Sequence, residues 1–285
     1  AGVPPGIVNI LTSRSSGRVV GEMLSDQRTR VISFTGSTDV GRKLLHAAAD
    51  NVVKPAMELG GNAPFIVCHD ADLSAAADGL MVAKMRNLGE ACTAANRIYV
   101  HENIAAEFVN LFVAKMANLK MGDGRDSNID VGPLVNLETR DKVDYFVRDA
   151  VSKGAVIKLG GQKPVGKGFF YPPTVLTNVP SDAECLSDEI FGPVAAIQTF
   201  SDEMEIIRRS NATEYGLVAY VYTSDMKRGM RISESLEFGM IGLNRGLVSD
   251  PASPFGGVKQ SGLGREGGKE GMLEFQETQY ISTEW

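Results

Sequence analysis

The chain has 285 residues, 43% of them hydrophobic and 22% charged, and a formal net charge of -6. These fractions exclude a disordered chain, and the length suffices for one large α/β domain or two ordinary ones. The negative balance argues against a nucleic-acid or anionic-membrane partner, and no apolar run reaches the 18 residues of a spanning helix.

The chain opens on Ala1-Gly2-Val3-Pro4-Pro5-Gly6, with no basic region leading into an apolar one, so no signal peptide is expected. Lacking an initiating Met and starting at a turn, it reads as the interior of a longer protein. Residues 7–11 have strand character, and Gly17 to Leu24 the spacing of a short amphipathic helix. The β-branched and aromatic run from Arg30 to Thr35 predicts a strand that stops at Gly36. Gly36-Ser37-Thr38-Asp39 then opens a helix carrying Val40, Leu44, Leu45 and Ala48 on one face. Lys54 to Leu59 is a second strand, halted by Gly60-Gly61, and Pro64 to Cys68 a third. Asp70-Ala71-Asp72 caps a helix over 75–87.

Arg97 to Val100 resumes as strand, 105–119 is an amphipathic helix, and Met121 to Gly124 a loop. A helix over 137–153 closes at Gly154, and Val156 to Leu159 is a strand ending at Gly160-Gly161. The Gly- and Pro-rich stretch to Pro173 predicts an extended loop or hairpin. Strands follow over 195–200, 217–222 and 240–244, alternating with helices over 204–210 and 227–236. From Gly246 to Gly271 the chain is rich in Gly, Ser and Pro, and 273–281 predicts a terminal strand. Strands alternating with helices imply βαβ units, so the fold class is α/β with mostly parallel sheets and flanking helices. No repeat or low-complexity segment interrupts this order.

Three cysteines, Cys68, Cys92 and Cys185, are too few and too irregular for a disulfide framework and point to a reducing, cytoplasmic compartment. The histidines His46, His69 and His101 stand singly, so no metal site is expected. Gly36-Ser37 ends a strand and opens a helix, which offers amide N–H groups and a dipole end to an anion. The same residues serve equally as an ordinary capped turn, and they form neither a P-loop nor a GxGxxG fingerprint. Cys92 follows Gly89 just past a helix; it is a nucleophile if its thiol is activated and a small buried hydrophobe otherwise. Glu58, beside Gly60-Gly61, is a general base if a cleft desolvates it and a solvated strand-end carboxylate otherwise. Glu189-Ile190-Phe191-Gly192-Pro193 joins an acid and an aromatic at a turn.

Taken together, Phe34-Thr35-Gly36-Ser37, Met57-Glu58-Leu59-Gly60-Gly61-Asn62-Ala63-Pro64, Gly89-Glu90-Ala91-Cys92, Glu189 to Pro193 and Pro254-Phe255-Gly256-Gly257 resemble, in order and spacing, the NAD(P)-dependent aldehyde dehydrogenase superfamily. Within it, Lys84-Met85-Arg86-Asn87, Ala95-Asn96-Arg97 and the run from Ser253 to Gly267 look most like succinate-semialdehyde dehydrogenases. The resemblance implies that Cys92 attacks the aldehyde, that its backbone N–H helps to form an oxyanion hole, and that Glu58 later activates water. It implies NAD or NADP as cofactor, with Gly36 and Ser37 at the pyrophosphate, the Leu59 carbonyl at the nicotinamide amide, Glu189 at the ribose and Phe191 nearby. Arg86 and Ser249 would hold the distal carboxylate of a small aldehyde substrate, and Phe255 would line its tunnel.

Two departures accompany the resemblance. Glu90 stands where the family more usually has Gln, and Ala94 stands where some members carry a second cysteine, so no such redox pair is expected. The implied organisation is the C-terminal portion of a family member, with the N-terminal part of the cofactor domain missing. Residues 1–60 would complete a Rossmann-like cofactor domain, 61–258 form the catalytic domain, and 259–285 return to the cofactor domain and supply an oligomerisation strand. A homodimer or homotetramer is implied. Two alternatives stay open: a CoA-acylating relative, and an inactive folded fragment serving as an interaction module.

Overall fold

The computed structural model describes residues 2–285. Helix α1 (Ser16–Ser25) precedes strand β1 (Val31–Thr35), helix α2 (Thr38–Ala49) and strand β2 (Lys54–Glu58). β1 and β2 run parallel, with Thr35 opposite Glu58. Helix α1 and the adjacent α2 bury Leu24 and Ala48 with Val53 on one side of this pair.

The chain then enters a second sheet through β3 (Ala63–Val67), α3 (Leu73–Met85) and β4 (Ala95–His101). Helices α4 (Ala105–Ala117) and α5 (Leu137–Ser152) lead to strands β5 (Val156–Leu159), β6 (Thr174–Thr177) and β7 (Val194–Phe200). Helix α6 (Glu203–Asn211), β8 (Val218–Tyr222), α7 (Met226–Ser235) and β9 (Met240–Leu243) complete the sheet. Its order is β5-β6-β7-β4-β3-β8-β9, all parallel except β5, which runs antiparallel to β6 as an edge strand.

Alternation along the strands divides the core into two faces, because successive side chains point to opposite sides. Phe65, Val67, Ile98, Val100, Tyr220 and Tyr222 pack under α3 and α4 with Leu80, Phe108 and Phe112. Ile66, Tyr99, Ala219 and Val221 face the other way, onto Ile206 and Ile207 of α6 and Ile232 of α7. Helix α5 covers the β6–β7 end of that second face through Val143, Phe146 and Val147.

Beyond β9 the chain returns to the first sheet. β10 (Gly262–Leu263) pairs antiparallel with the end of β2, Gly262 opposite Glu58, and helix α8 (Gly268–Leu273) follows. β10 and the start of α8 fall inside the segment expected to be irregular, whose Gly-rich composition carries no periodic signal.

Two further expectations need correction. Residues 7–11 form no strand, and Ile7, Val8, Ile10 and Leu11 are exposed. Residues 273–281 form none either: Leu273 closes α8 and 274–281 lack regular structure. Among the described residues no neighbouring strand supplies a ladder to either stretch, and a lone strand cannot satisfy its own backbone. The Gly- and Pro-rich stretch to Pro173 is a loop as expected, and β6, a fully buried strand outside the expected elements, begins directly after it. No helix among the described residues is long and apolar enough to cross a membrane.

Candidate active site

The site lies where the C-terminal end of β2 meets the N-terminal ends of β3 and β4. Glu58 is the last residue of β2, held from both sides: Gly36 donates to its carbonyl at 3.0 Å, and β10 runs alongside. Its side chain is only 5% exposed, and neither carboxylate oxygen has a hydrogen-bond partner among the described residues. A side chain added at Gly256 would come within 2.8 Å of Glu58 Oε1, so the 254–257 loop closes over the carboxylate. Burial, reinforced by the Glu266 charge and opposed by Arg265, pushes the Glu58 carboxyl up to about 8. A carboxylate kept from water without donors is a strong base when ionised.

The loop that carries Cys92 follows α3. After Met85 the backbone takes left-handed values at Asn87 (φ 50), Leu88 (φ 58) and Gly89 (φ 74). A left-handed leucine is costly and persists only where its surroundings impose it. Here the imposition is visible. Asn87 Nδ2 donates to the Glu90 carbonyl at 2.8 Å, and Glu90 Oε1 accepts from Val135 N–H at 3.0 Å. Gly89 packs so closely on the Gly192 carbonyl that a Cβ would collide with it, and Gly61 does the same against the Cys92 carbonyl. The Gly60-Gly61 turn, the cysteine loop and the 189–193 turn are therefore pressed together through backbone, with no room for a Cβ at Gly61 or Gly89.

Cys92 is half-buried and unpaired. Burial first, then the Glu189 and Glu58 charges, raise its thiol to about 11, while Arg86 pulls the other way. Its sequence setting, just past a helix, supplies no helix N-terminus to lower the thiol; the loop enters β4 instead. Among the described residues its N–H donates to no backbone carbonyl; it lies against its own thiol, where it pulls the value back down. Cys68 and Cys185 are buried and, like Cys92, unpaired, each pushed up to about 12 by burial.

Glu189 accepts from Gly61 N–H at 3.4 Å, and burial raises its carboxyl to about 7. Phe191 sits beside it in a left-handed conformation (φ 56). A side chain at Gly60 would stand 3.1 Å from Tyr215, 3.3 Å from Thr38 Oγ1 and 3.6 Å from Glu189 Oε2, so the first turn of α2 and the Glu189 loop share one cradle. Ser37 is the exposed N-cap of α2, and its side chain caps no amide. Leu59 packs on Gly41 of α2, and its carbonyl accepts no backbone N–H. A free helix N-terminus, an unpaired carbonyl and a carboxylate on one side of the thiol suit the phosphates, amide and ribose hydroxyls of a dinucleotide. Asp39 in the same helix turn is tied to Arg42 at 3.1 Å.

Arg86, the residue after α3, donates from Nη2 to Thr93 Oγ1 at 3.1 Å, which places it next to the cysteine. Phe255 and Cys92 pack against the same core cluster, and Phe255 pairs through its backbone with Glu266 at 2.7 Å. Ser249 is exposed and makes no hydrogen bond to Arg86; Gly246, just before it, packs on the carbonyl of Gly79 in α3.

Several supports had no signal in composition or spacing. Arg97 is 2% exposed and donates to the carbonyls of Asn62, Arg209 and Ser210 at 2.8 to 3.0 Å, pinning the Gly-Gly turn from below. Ser261 Oγ donates to the Gly60 carbonyl at 2.7 Å and accepts from Gly216 N–H at 2.9 Å. Lys84, fully buried, donates to Asn96 Oδ1 at 3.1 Å, and burial pushes its amine down to about 7. Asn96 sits where the β3–β4 register shifts, and such a bulge re-aims a side chain. No cluster of metal-ligating side chains occurs among the described residues.

Residues 1–281 match the model of the aldehyde dehydrogenase family. The chain is 53% identical over 281 residues to a succinate-semialdehyde dehydrogenase of Paenarthrobacter nicotinovorans, covering 99% of this chain and 62% of that protein. It is 45% identical to a glutarate-semialdehyde dehydrogenase of Pseudomonas aeruginosa, over 99% of this chain and 58% of that one. The crystal structure of an NADP-dependent enzyme of Escherichia coli superposes with a TM-score of 0.95 at 43% identity, over 97% of this chain and 57% of that chain. The chain thus spans about three-fifths of the length of the relatives it matches.

Proposed function

The chain belongs to the aldehyde dehydrogenase family, and from that premise we propose that the protein carrying it oxidises an aldehyde bearing a distal carboxylate, succinate semialdehyde foremost, to the acid with NAD or NADP. The observation that carries this reading is Glu58: a carboxylate buried without donors, its charge near enough to raise the Cys92 thiol. One buried base beside one thiol is what a two-stage acyl reaction requires.

In the first stage Sγ of Cys92 bonds to the aldehyde carbon while the thiol proton passes through water to the aldehyde oxygen, forming a thiohemiacetal whose oxygen faces the Cys92 N–H. A bound nicotinamide nucleotide would supply the hydride acceptor for oxidation of the thiohemiacetal to the thioester; the α2 N-terminus with Gly36 and Ser37, the Leu59 carbonyl, Glu189 and Phe191 would hold it. In the second stage Glu58 takes a proton from water, the water oxygen adds to the thioester carbon, and the C–S bond breaks to release acid and thiol. Arg86 and Ser249 would hold the substrate carboxylate, and Phe255 would wall the approach. The named relatives act on succinate and glutarate semialdehydes, both carboxylate-bearing, which supports that substrate class.

The two sheets support the division into a cofactor part (1–60 with 259–285) and a catalytic part (61–258). Assembly as a cytoplasmic homodimer or homotetramer belongs to the same proposal. The test is aldehyde-dependent formation of NADH or NADPH by the protein carrying this chain. Cys92→Ala is expected to abolish it, and retained turnover would overturn the reading. Product analysis with and without CoA separates hydrolysis, which gives the free acid in either case, from transfer to CoA.

A further inference from the structure

We infer that Thr93, the residue after the nucleophile, is a positioning residue that fixes the reach between Arg86 and Cys92 Sγ and thereby selects the length of a carboxylate-bearing aldehyde. This rests on the reading of Arg86 as the group that holds the distal carboxylate.

The geometry is a closed loop. Arg86 leaves α3, the left-handed run Asn87–Gly89 reverses the chain, and the Arg86 guanidinium returns to Thr93 Oγ1 at 3.1 Å. Cys92 lies inside the loop so closed. The far side of Thr93 is fixed as well: its carbonyl accepts from Tyr220 Oη at 2.9 Å, and Tyr220 is a fully buried β8 residue packed on Phe65 of β3. Thr93 is itself 4% exposed. One residue therefore ties the guanidinium through its side chain and the sheet through its carbonyl.

The chemistry of the guanidinium gives this tie a consequence. Arg presents five N–H donors in a rigid planar fork, so committing Nη2 to the Thr93 hydroxyl sets the plane in which the others meet a carboxylate. Threonine Oγ1 can accept there while donating its own proton elsewhere; an apolar isostere cannot. Without that acceptor the long Arg side chain regains rotamers, and the span from guanidinium to Sγ is no longer single-valued. A neutral aldehyde makes no use of the span. The loss should fall on substrates whose carboxylate must be held while their aldehyde meets the thiol.

The test uses the protein carrying this chain with NAD(P) and three aldehydes: succinate semialdehyde, glutarate semialdehyde and butanal. The readout is the ratio of kcat/KM for each semialdehyde to that for butanal, in wild type, Arg86→Ala, Thr93→Val and Thr93→Ser. Hydrogen bonds to charged groups set the scale: the ratio for succinate semialdehyde should fall about tenfold or more in Thr93→Val and stay near wild type in Thr93→Ser. The preference between the two semialdehydes should also narrow in Thr93→Val. If the ratio falls in Arg86→Ala but holds in Thr93→Val, this inference is overturned and the Arg86 reading stands. If it holds in Arg86→Ala, that reading fails and takes this one with it. Should Thr93→Val not fold, Thr93→Ala removes the same acceptor without adding bulk and carries the same readout.

Discussion

A carboxylate that reaches a buried position without a single donor is unusual, because each lone pair carried out of water costs free energy. Glu58 accepts that cost, and the shift of its carboxyl to about 8 says how. Its folded pKa lies above its unfolded value, so its contribution favours the fold at low pH and is lost as pH rises from about 4.5 through about 8. Glu58→Gln should therefore gain in melting temperature over wild type as pH climbs from 5 to 9, with the difference smallest at the acid end. The same variant should lose the hydrolytic stage, whose wild-type rate should rise with pH through about 8 as the base ionises. Single-turnover release of acid across that pH range checks both statements; a flat wild-type profile would remove Glu58 from the role of base. From the sequence, Glu58 and Cys92 were visible only as residue types at turns. Their meaning came from the company of other motifs, since burial and the Glu266 charge arise from residues some two hundred positions away.

At the level of elements, the turns set the spacing of the reacting groups more than the strands do. Gly61 lies against the carbonyl of Cys92 with no room for a methyl group, and the obstacle is backbone. Gly61→Ala should push the nucleophile loop away from the β2–β3 turn, and a displacement on the order of 1 Å is enough to lower kcat about 100-fold. The fold around it should survive, because Arg97 still clamps the Asn62 carbonyl from the core side. Comparing kcat with the melting curve of the same variant separates the two effects: equal collapse of both would mean that Gly61 serves stability alone. Strands β1 to β5 and β7 to β9 and most helices were legible because their apolar positions recur at 2 or 3.6 residues. β6, β10 and α8 were not: β6 spans four residues behind a Pro-rich stretch, and the other two lie in Gly-rich chain whose order comes from partners distant in sequence. The bulge at Asn96 and the left-handed turn at Asn87–Leu88 have no periodic signature at all.

For the whole molecule, the decisive contact is the return of residues 254–265 from the large sheet to the small one. Ser261 is its rivet, joining Gly60 of one sheet connection to Gly216 at the foot of the other. Ser261→Ala leaves a buried carbonyl and a buried N–H without partners, so it should cost about 2 to 4 kcal/mol in denaturant unfolding. A cost within a few tenths of a kcal/mol would show that water replaces the hydroxyl. The alternation of strands and helices gave the class of this architecture, but nothing in the Gly-rich tail announced that it closes the site. That closure has a consequence for the order in which the protein is made. During synthesis Glu58 and Cys92 leave the ribosome long before Gly256 and Gly262, the residues that cover the base. Until they arrive, Glu58 stands in water as an ordinary, weak carboxylate. The raised carboxyl of Glu58 is thus a property of the finished chain, set by its last tenth.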